Sequence, residues 1–375
     1  MAAEITAPAV RQESFHVPAW IHLFSGLISR HPRFWVRLGN IESRYLADRL
    51  AAIRVERPIY IAGLARSGTT ILLEIVASHP EIATHQFRDF PPIFTPFAWN
   101  WWLNHIPLKQ TEPVERAHAD GIFVTPESPE AMEEMLWMAY FPHVHDPRCS
   151  NVLDASVSNP EFESFYRDHI KKLILVRGGQ RYASKENYNI TRLEYLKKLF
   201  PDARFVVPIR HPAAHIASLI KQHRLFAEAH YRQPRALAHF RRVGHFEFGA
   251  DLRPINTGDG GRVEELQELW AQGKETRGWA RYWAMIYGFV ADRLDAQPSL
   301  REASIVVRFE DLCAQPAAVL QKLALHCGLD DPAFIEKQAN RLRAPTYYRV
   351  RFSEADVKII GEETAATGAR FGYAE

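Results

Sequence analysis

The side chains that could do chemistry in this 375-residue chain concentrate first in a turn between two apolar runs. Gly63 and Gly68 bracket the turn, Arg66 supplies its positive charge, and residues 67 to 70 are Ser-Gly-Thr-Thr. Glycines let a backbone bend sharply and approach an anion, and the free amides at the start of a helix attract negative charge. The pattern predicts a strand, a phosphate-binding loop and a helix over residues 58 to 76.

The two glycines have the spacing of a P-loop, but the residue after the second glycine departs from the pattern of nucleoside-triphosphate loops. Those loops place a lysine there, whereas this chain has Thr69 and carries its positive charge at Arg66. The loop therefore suits a different phosphate ligand. A plain glycine turn is the alternative, and the full strand–loop–helix context disfavours it.

A second apolar run also ends in a basic residue. Residues 200 to 209 contain a predicted buried strand that leads to Arg210, and a helix is predicted from residue 213 to residue 225. Ser218 lies eight residues beyond Arg210, or about two helical turns. An arginine at a strand end and a serine on the following helix can converge on one small anion.

At these two motifs the chain resembles the bacterial-type sulfotransferases that use 3′-phosphoadenosine 5′-phosphosulfate (PAPS). Residues 65 to 70 resemble the 5′-phosphosulfate loop of that family, and Arg210 and Ser218 have the spacing of its 3′-phosphate motif. The resemblance covers roughly residues 58 to 330, with both motifs in the family's order. It implies in-line transfer of a sulfuryl group from PAPS to an acceptor hydroxyl or amine, with 3′-phosphoadenosine 5′-phosphate (PAP) as the product.

The resemblance also implies two groups of site residues. The residues expected to bind PAPS are Arg66, Ser67, Gly68, Thr69, Thr70, Arg210, Ser218, Arg349 and Arg351. The last two match the family only by position and charge, in a late basic segment. The residues expected to act in catalysis are Arg66, Lys185, Asp89 and His85.

The last three catalytic assignments depend on position along the chain. Lys185 ends a predicted strand, where related enzymes often have a lysine that touches the sulfuryl group. Several family members carry a catalytic glutamate in the segment that follows the loop, where this chain has Gln86 and Phe87. Since a hydroxyl that attacks sulfur must lose a proton, His85 and Asp89 are the two base candidates there, and ordinary structural roles for both stay open.

Composition excludes several classes of protein. A formal net charge of +2 argues against general nucleic-acid binding. Cys149, Cys313 and Cys327 are widely spaced, so neither a disulfide framework nor a metal site is expected. The N-terminus lacks the form of a signal peptide, and the apolar stretch from residue 17 to 28 is too short to span a bilayer. We therefore expect a cytoplasmic protein without an integral membrane segment.

Alternating strands and helices predict the scaffold that positions these residues: an α/β fold of P-loop type with a doubly wound parallel sheet. We expect a single domain. Residues 1–57 should form a helical N-terminal extension that Pro32 divides. Residues 58–330 should form the α/β core with a helical insertion at about 223–274, and residues 331–375 a C-terminal segment.

Two other functions stay open at this point. A P-loop kinase would need a lysine in place of Thr69 and an acid that holds magnesium, and a catalytically inactive nucleotide-binding scaffold would explain the missing glutamate near residue 86. The acceptor is open as well and could be a small molecule, a glycan or a lipid. The aromatic segment from residue 90 to 106 could be a buried helix, an apolar acceptor pocket or a surface that touches lipid.

Overall fold

The computed structural model describes residues 15–106, 112–118, 120–342 and 352–373, and the candidates Arg349 and Arg351 lie outside these ranges. Within them, seven strands form two sheets. The strands are β1 (Ile59–Ile61), β2 (Ile82–Ala83), β3 (Val114–Glu115), β4 (Phe123–Val124), β5 (Arg181–Lys185), β6 (Arg204–Ile209) and β7 (Ser304–Arg308). The main sheet has the order β2-β5-β1-β6-β7, and each of its pairings is parallel. β3 and β4 form a separate antiparallel pair.

The helices of the described ranges surround this sheet. They are α1 (Ala19–Arg30), α2 (Pro32–Tyr45), α3 (Ala47–Ala51), α4 (Thr69–Ala77), α5 (Pro96–His105), α6 (Glu134–Tyr140), α7 (Pro160–Arg177), α8 (Leu193–Leu199), α9 (Pro212–Arg232), α10 (Pro234–Val243), α11 (Gly260–Ala271), α12 (Glu275–Ala296), α13 (Pro298–Glu302), α14 (Phe309–Ala314), α15 (Pro316–Cys327), α16 (Pro332–Arg341) and α17 (Glu354–Ala369). Many begin at a proline, because the first helical position tolerates the missing N–H. Pro32 starts α2 and separates it from α1, as the sequence predicts.

The core has two sides, because successive residues of a strand point to opposite faces of the sheet. Tyr60 and Phe205 pack into one buried cluster with side chains from α7, α9 and α12. Ile59 and Val206 pack into a second cluster with side chains from α4 and α15. Helices thus cover both faces, and the doubly wound parallel α/β fold is confirmed.

The topology brings the candidate residues to one edge of the sheet. Ile61 of β1 pairs with Lys185 on β5 and with Val206 on β6, so the carboxyl ends of these three strands are neighbours. In doubly wound sheets the ligand crevice lies at that edge. None of the helices in the described ranges has the length and apolar character needed to cross a membrane.

Candidate functional site

The loop between β1 and α4 has the shape of an anion cradle. Gly68 has a φ of 104°, and a Cβ atom there would lie only 2.7 Å from the ring of Phe309, so a side chain is excluded both by conformation and by space. Arg66 also has a positive φ, of 73°. The hydroxyl of Ser67 is buried and donates a hydrogen bond to the Leu64 carbonyl at 2.7 Å. The Ser67 amide also donates to the Leu64 carbonyl, at 3.2 Å, so Ser67 stabilises the loop, while the amides from residue 68 to 70 stand at the start of α4.

A buried histidine that the sequence analysis missed also holds the loop. His215 lies on α9, and its Nε2 is 2.8 Å from the Ala65 carbonyl oxygen. Burial lowers the pKa of His215 to about 3, so the ring is neutral and its Nε2–H donates to that carbonyl. The loop is thus tied to the helix that also carries Ser218.

The cation of the loop is held by two partners. Arg66 donates from Nη1 to Asp120 Oδ2 at 2.7 Å and from Nε to Ser218 Oγ at 3.2 Å. Asp120 also accepts from Arg116 Nε at 3.0 Å, and Arg116 Nη1 lies 3.1 Å from Thr70 Oγ1. Burial alone would raise the pKa of Asp120, but the bonds from Arg116 and the charges of both arginines hold that pKa well below its usual range. An ionised Asp120 therefore orients both guanidinium groups at the loop.

The two motifs predicted for the two ends of the ligand meet at one aromatic ring. Arg210 follows the last residue of β6, and its guanidinium carbon lies 5.1 Å from the centre of the Phe309 ring. Gly68 lies against the same ring, since a Cβ atom there would be 2.7 Å from it. Ser218, two turns along α9, contacts Arg66. The structure thus brings Arg210, Ser218 and the loop together.

A cavity of about 440 Å³ opens beside the loop. Arg66, Thr69, Thr70 and Lys185 all contribute to its wall. Much of the remaining wall is apolar and comes from Phe15, Val17, Ile21, Phe87, Phe90, Met132, Phe240 and Val243. Lys185 therefore shares a space with the loop, and an apolar molecule could lie against both.

The two base candidates of the sequence analysis are not brought to this cavity. His85 and Asp89 are buried, and His85 Nδ1 lies 3.3 Å from Asp89 Oδ2. Asp89 Oδ1 accepts from Arg177 Nη2 at 2.5 Å and from Asn100 Nδ2 at 2.8 Å. His85 Nε2 is 3.0 Å from Nε2 of a second buried histidine, His169. These contacts fix both side chains inside the protein, and the neighbouring phenylalanines of the same segment face the cavity instead.

A model of the sulfotransferase family matches residues 58–250, which is just over half of the chain. The chain belongs to the sulfotransferase family. No curated protein sequence matches it significantly.

Several solved sulfotransferase structures are similar to this one. The enzyme from Mycobacterium tuberculosis is 16% identical, with a TM-score of 0.46 and coverage of 91% of this chain and 86% of that chain. The enzyme from Mycobacterium avium is 14% identical, with a TM-score of 0.49 and coverage of 89% of this chain and 82% of that chain. The enzyme from Alicyclobacillus acidocaldarius is 15% identical, with a TM-score of 0.38 and coverage of 84% of this chain and 94% of that chain.

This sulfotransferase places a histidine and a carboxylate together on the wall of the cavity. His245 Nδ1 lies 3.2 Å from Glu247 Oε2, slightly outside the geometry of a regular hydrogen bond. Glu247 Oε1 accepts from Asn187 Nδ2 at 2.7 Å, and Asn187 Oδ1 lies 3.5 Å from Thr69 Oγ1. A chain of polar contacts thus connects the loop to this histidine. In the sequence, His245 and Glu247 lie in a segment between Gly244 and Gly249 that resembles a turn. Nothing in that segment indicates that the two side chains lie together.

Proposed function

We propose that this sulfotransferase moves a sulfuryl group from PAPS to an acceptor hydroxyl or amine. The observation that supports the proposal is the placement of Arg66, Lys185 and Arg210 at or just after the carboxyl ends of the adjacent strands β1, β5 and β6, with Arg66 and Lys185 on one cavity and Arg210 against Phe309. The loop beside them lacks the lysine of nucleoside-triphosphate sites. Three cations from adjacent strand ends match a ligand with two separated anionic groups.

The residues present fit such a donor. The amides of residues 68 to 70 would bind the 5′-phosphate, because they stand at the start of α4. Arg210 and Ser218 would bind the 3′-phosphate. Arg66 and Lys185 would stabilise the negative charge on the sulfuryl group and on the leaving oxygen. When bound, PAPS supplies the sulfuryl group, and the acceptor oxygen or nitrogen gains the bond to sulfur that the 5′-phosphate oxygen loses.

The proton of the acceptor requires a base at the cavity, and we assign this role to His245. A histidine beside a carboxylate keeps its proton on Nδ1, which leaves the Nε2 lone pair for the acceptor. Glu247 occupies the position of that carboxylate, and its contact with Asn187 limits its movement. His85 and Asp89 act structurally in this proposal, because both are enclosed by buried partners.

The donor is tested by calorimetric titration of the protein with PAP, ADP and ATP, the last two with magnesium. We expect roughly micromolar affinity for PAP, dependent on the 3′-phosphate and indifferent to magnesium. A preference for ATP with magnesium would contradict the proposal and support a kinase.

The base is tested by the release of PAP from PAPS with a panel of alcohols. We expect His245→Ala to lower kcat by roughly 10²–10⁴-fold, while its affinity for PAP stays unchanged. Glu247→Gln should cause a smaller loss, because it retains the shape of the side chain. Turnover of His245→Ala at the native rate would refute the assignment, and tight PAP binding without turnover of any alcohol by the native protein would support an inactive scaffold.

A further inference from the structure

The first helices of the chain and α5 expose an unusual number of large apolar side chains. Leu23 is 72% exposed and Trp101 is 57% exposed, whereas most large apolar side chains of the described residues are buried or partly buried. We call the following set the apolar surface: Trp20, Leu23 and Leu27 on α1, Phe34 on α2, and Trp101 and Trp102 on α5. Exposed patches of this kind mark interaction sites.

Ring contacts show that the three helices form one continuous surface. Trp102 stacks on Trp99 with 4.8 Å between ring centres, and Trp99 lies 6.4 Å from Phe24 of α1. Phe24 lies 5.7 Å from Trp35, which lies 5.7 Å from Phe34. The exposed rings at both ends of this series are therefore parts of a single ridge.

The exposed charges on the three helices of the apolar surface have one sign. α1 and α5 contain no aspartate or glutamate, and the one acid of α2, Glu42, is buried against Lys172 at 3.0 Å. Arg33, Arg37 and Arg44 flank the exposed face of α2, since they lie within about a quarter of a turn of Phe34 on the helical projection.

The same arginines border a groove next to α2. The far wall of that groove is on α7 and carries Glu161 and Asp168. The arginines thus stand between the apolar face and these acids, so the charge next to the apolar face is positive.

We propose that the apolar surface docks on the face of a bilayer that contains anionic phospholipid. Tryptophan and leucine beside arginine are typical of helices that lie in a membrane interface, and anionic headgroups attract the arginines. A second copy of the chain would fit less well, because a two-fold contact would bring the arginines of α2 close to their own copies.

The apolar surface adjoins the cavity. The wall of the cavity includes Val17 and Ile21, which lie on either side of Trp20 along the chain. It also includes Phe90, which precedes α5. Since Lys185 lines the same cavity, an alcohol dissolved in the bilayer is the acceptor class that this placement favours. This consequence, a lipid acceptor, rests on the proposed function, whereas the docking itself does not.

The experiment is sedimentation of the full chain with vesicles of phosphatidylcholine, with and without phosphatidylglycerol. We expect binding that requires phosphatidylglycerol and weakens with salt, accompanied by a blue shift of tryptophan fluorescence. Leu23→Glu should weaken the binding by about tenfold or more. Leu325→Glu is the matched control, because Leu325 is 67% exposed on α15 and should leave vesicle binding unchanged.

Any of three results would overturn the proposal. They are no binding to either kind of vesicle, an equal loss of vesicle binding in both variants, and a protein dimer in light scattering that Leu23→Glu dissociates. Since both leucines are exposed, neither substitution should prevent folding, and circular dichroism of the variants checks this. Titration with PAP in the absence of vesicles reports on the proposed function alone, so the two failures are distinguishable.

Discussion

Replacement of Arg210 by alanine tests how this protein would recognise a 3′-phosphate. Its guanidinium is partly buried and lies 5.1 Å from the centre of the Phe309 ring, which limits its orientations. A charge-assisted hydrogen bond is worth about 1.5–3 kcal/mol, which corresponds to a roughly tenfold to 150-fold change in affinity. We expect a loss in the upper part of this range for PAPS, because the aromatic ring and the partial burial favour a well-oriented, weakly screened contact.

The assay is calorimetric titration with two nucleotides that differ only at the end that Arg210 would bind. Adenosine 5′-phosphosulfate lacks the 3′-phosphate, so its affinity should hardly change in Arg210→Ala, while the affinity for PAPS falls. Arg204→Ala is the control, because Arg204 is also partly buried but lies at the opposite end of β6. Equal losses with both nucleotides, or no loss with either, would refute the assigned role.

Three further predictions concern stability. Gly68→Ala should lower the melting temperature more than Gly121→Ala. Both glycines have a positive φ, but a Cβ at Gly68 would lie 2.7 Å from Phe309, whereas a Cβ at Gly121 would have no neighbour within 4 Å. Equal shifts in melting temperature would contradict this reasoning. Asp89→Asn should reduce the free energy of unfolding in urea by about 3–5 kcal/mol without lowering kcat of the folded protein, whereas native stability with a lost kcat would restore Asp89 as the base. Burial raises the pKa of Glu134, but its arginine and histidine partners lower it from 4.5 to about 2, so the stability it contributes above pH 4.5 should be lost as the pH falls toward 2. Glu134→Gln should flatten acid unfolding in that window, as followed by circular dichroism.

The sequence was sufficient for features that depend on neighbouring residues. The glycine spacing predicted the turn between β1 and α4, because glycine allows a sharp bend. Pro32 predicted the boundary between α1 and α2, because proline restricts the local backbone and lacks an N–H. The separation of Arg210 and Ser218, about two helical turns, predicts that they converge on one anion, and this stays a prediction. The parallel sheet also followed from local patterns, because strands and helices alternate along the chain.

Features that depend on tertiary contacts could not be predicted in the same way. Asp120 accepts a hydrogen bond from Arg66, which lies 54 positions earlier in the sequence. Glu247 accepts one from Asn187, which lies 60 positions earlier. His85 and Asp89 have the residue types of a base, but Arg177, 88 positions after Asp89, fixes that carboxylate in the interior. Chemistry of a side chain is visible in a sequence, whereas the direction in which it points is decided by its distant partners.

The segment of α5 illustrates a different limit. Its aromatic residues were consistent with a buried helix, an acceptor pocket or a lipid-facing surface, since composition alone does not separate these roles. The structure divides the segment, with Phe94 and Leu103 buried and Trp101 and Trp102 exposed. The helix α7 was overlooked, although Asn159 accepts a hydrogen bond from the backbone of its first turn and Pro160 occupies its first position.

The contacts between the two motifs give a reason why they should respond as one unit to a ligand. Arg66 of the loop donates to Ser218 of the second motif, and the Phe309 ring lies against both Gly68 of the loop and the guanidinium of Arg210. A ligand that spans both motifs would order them together, so the free energy of binding at one end depends on the other. A ligand that reaches only the loop would leave Arg210 and Ser218 without a phosphate, and its affinity would fall accordingly. Under the proposed function, this arrangement would favour a nucleotide with phosphate groups at both its 3′ and 5′ positions over one with a longer chain at the 5′ position alone.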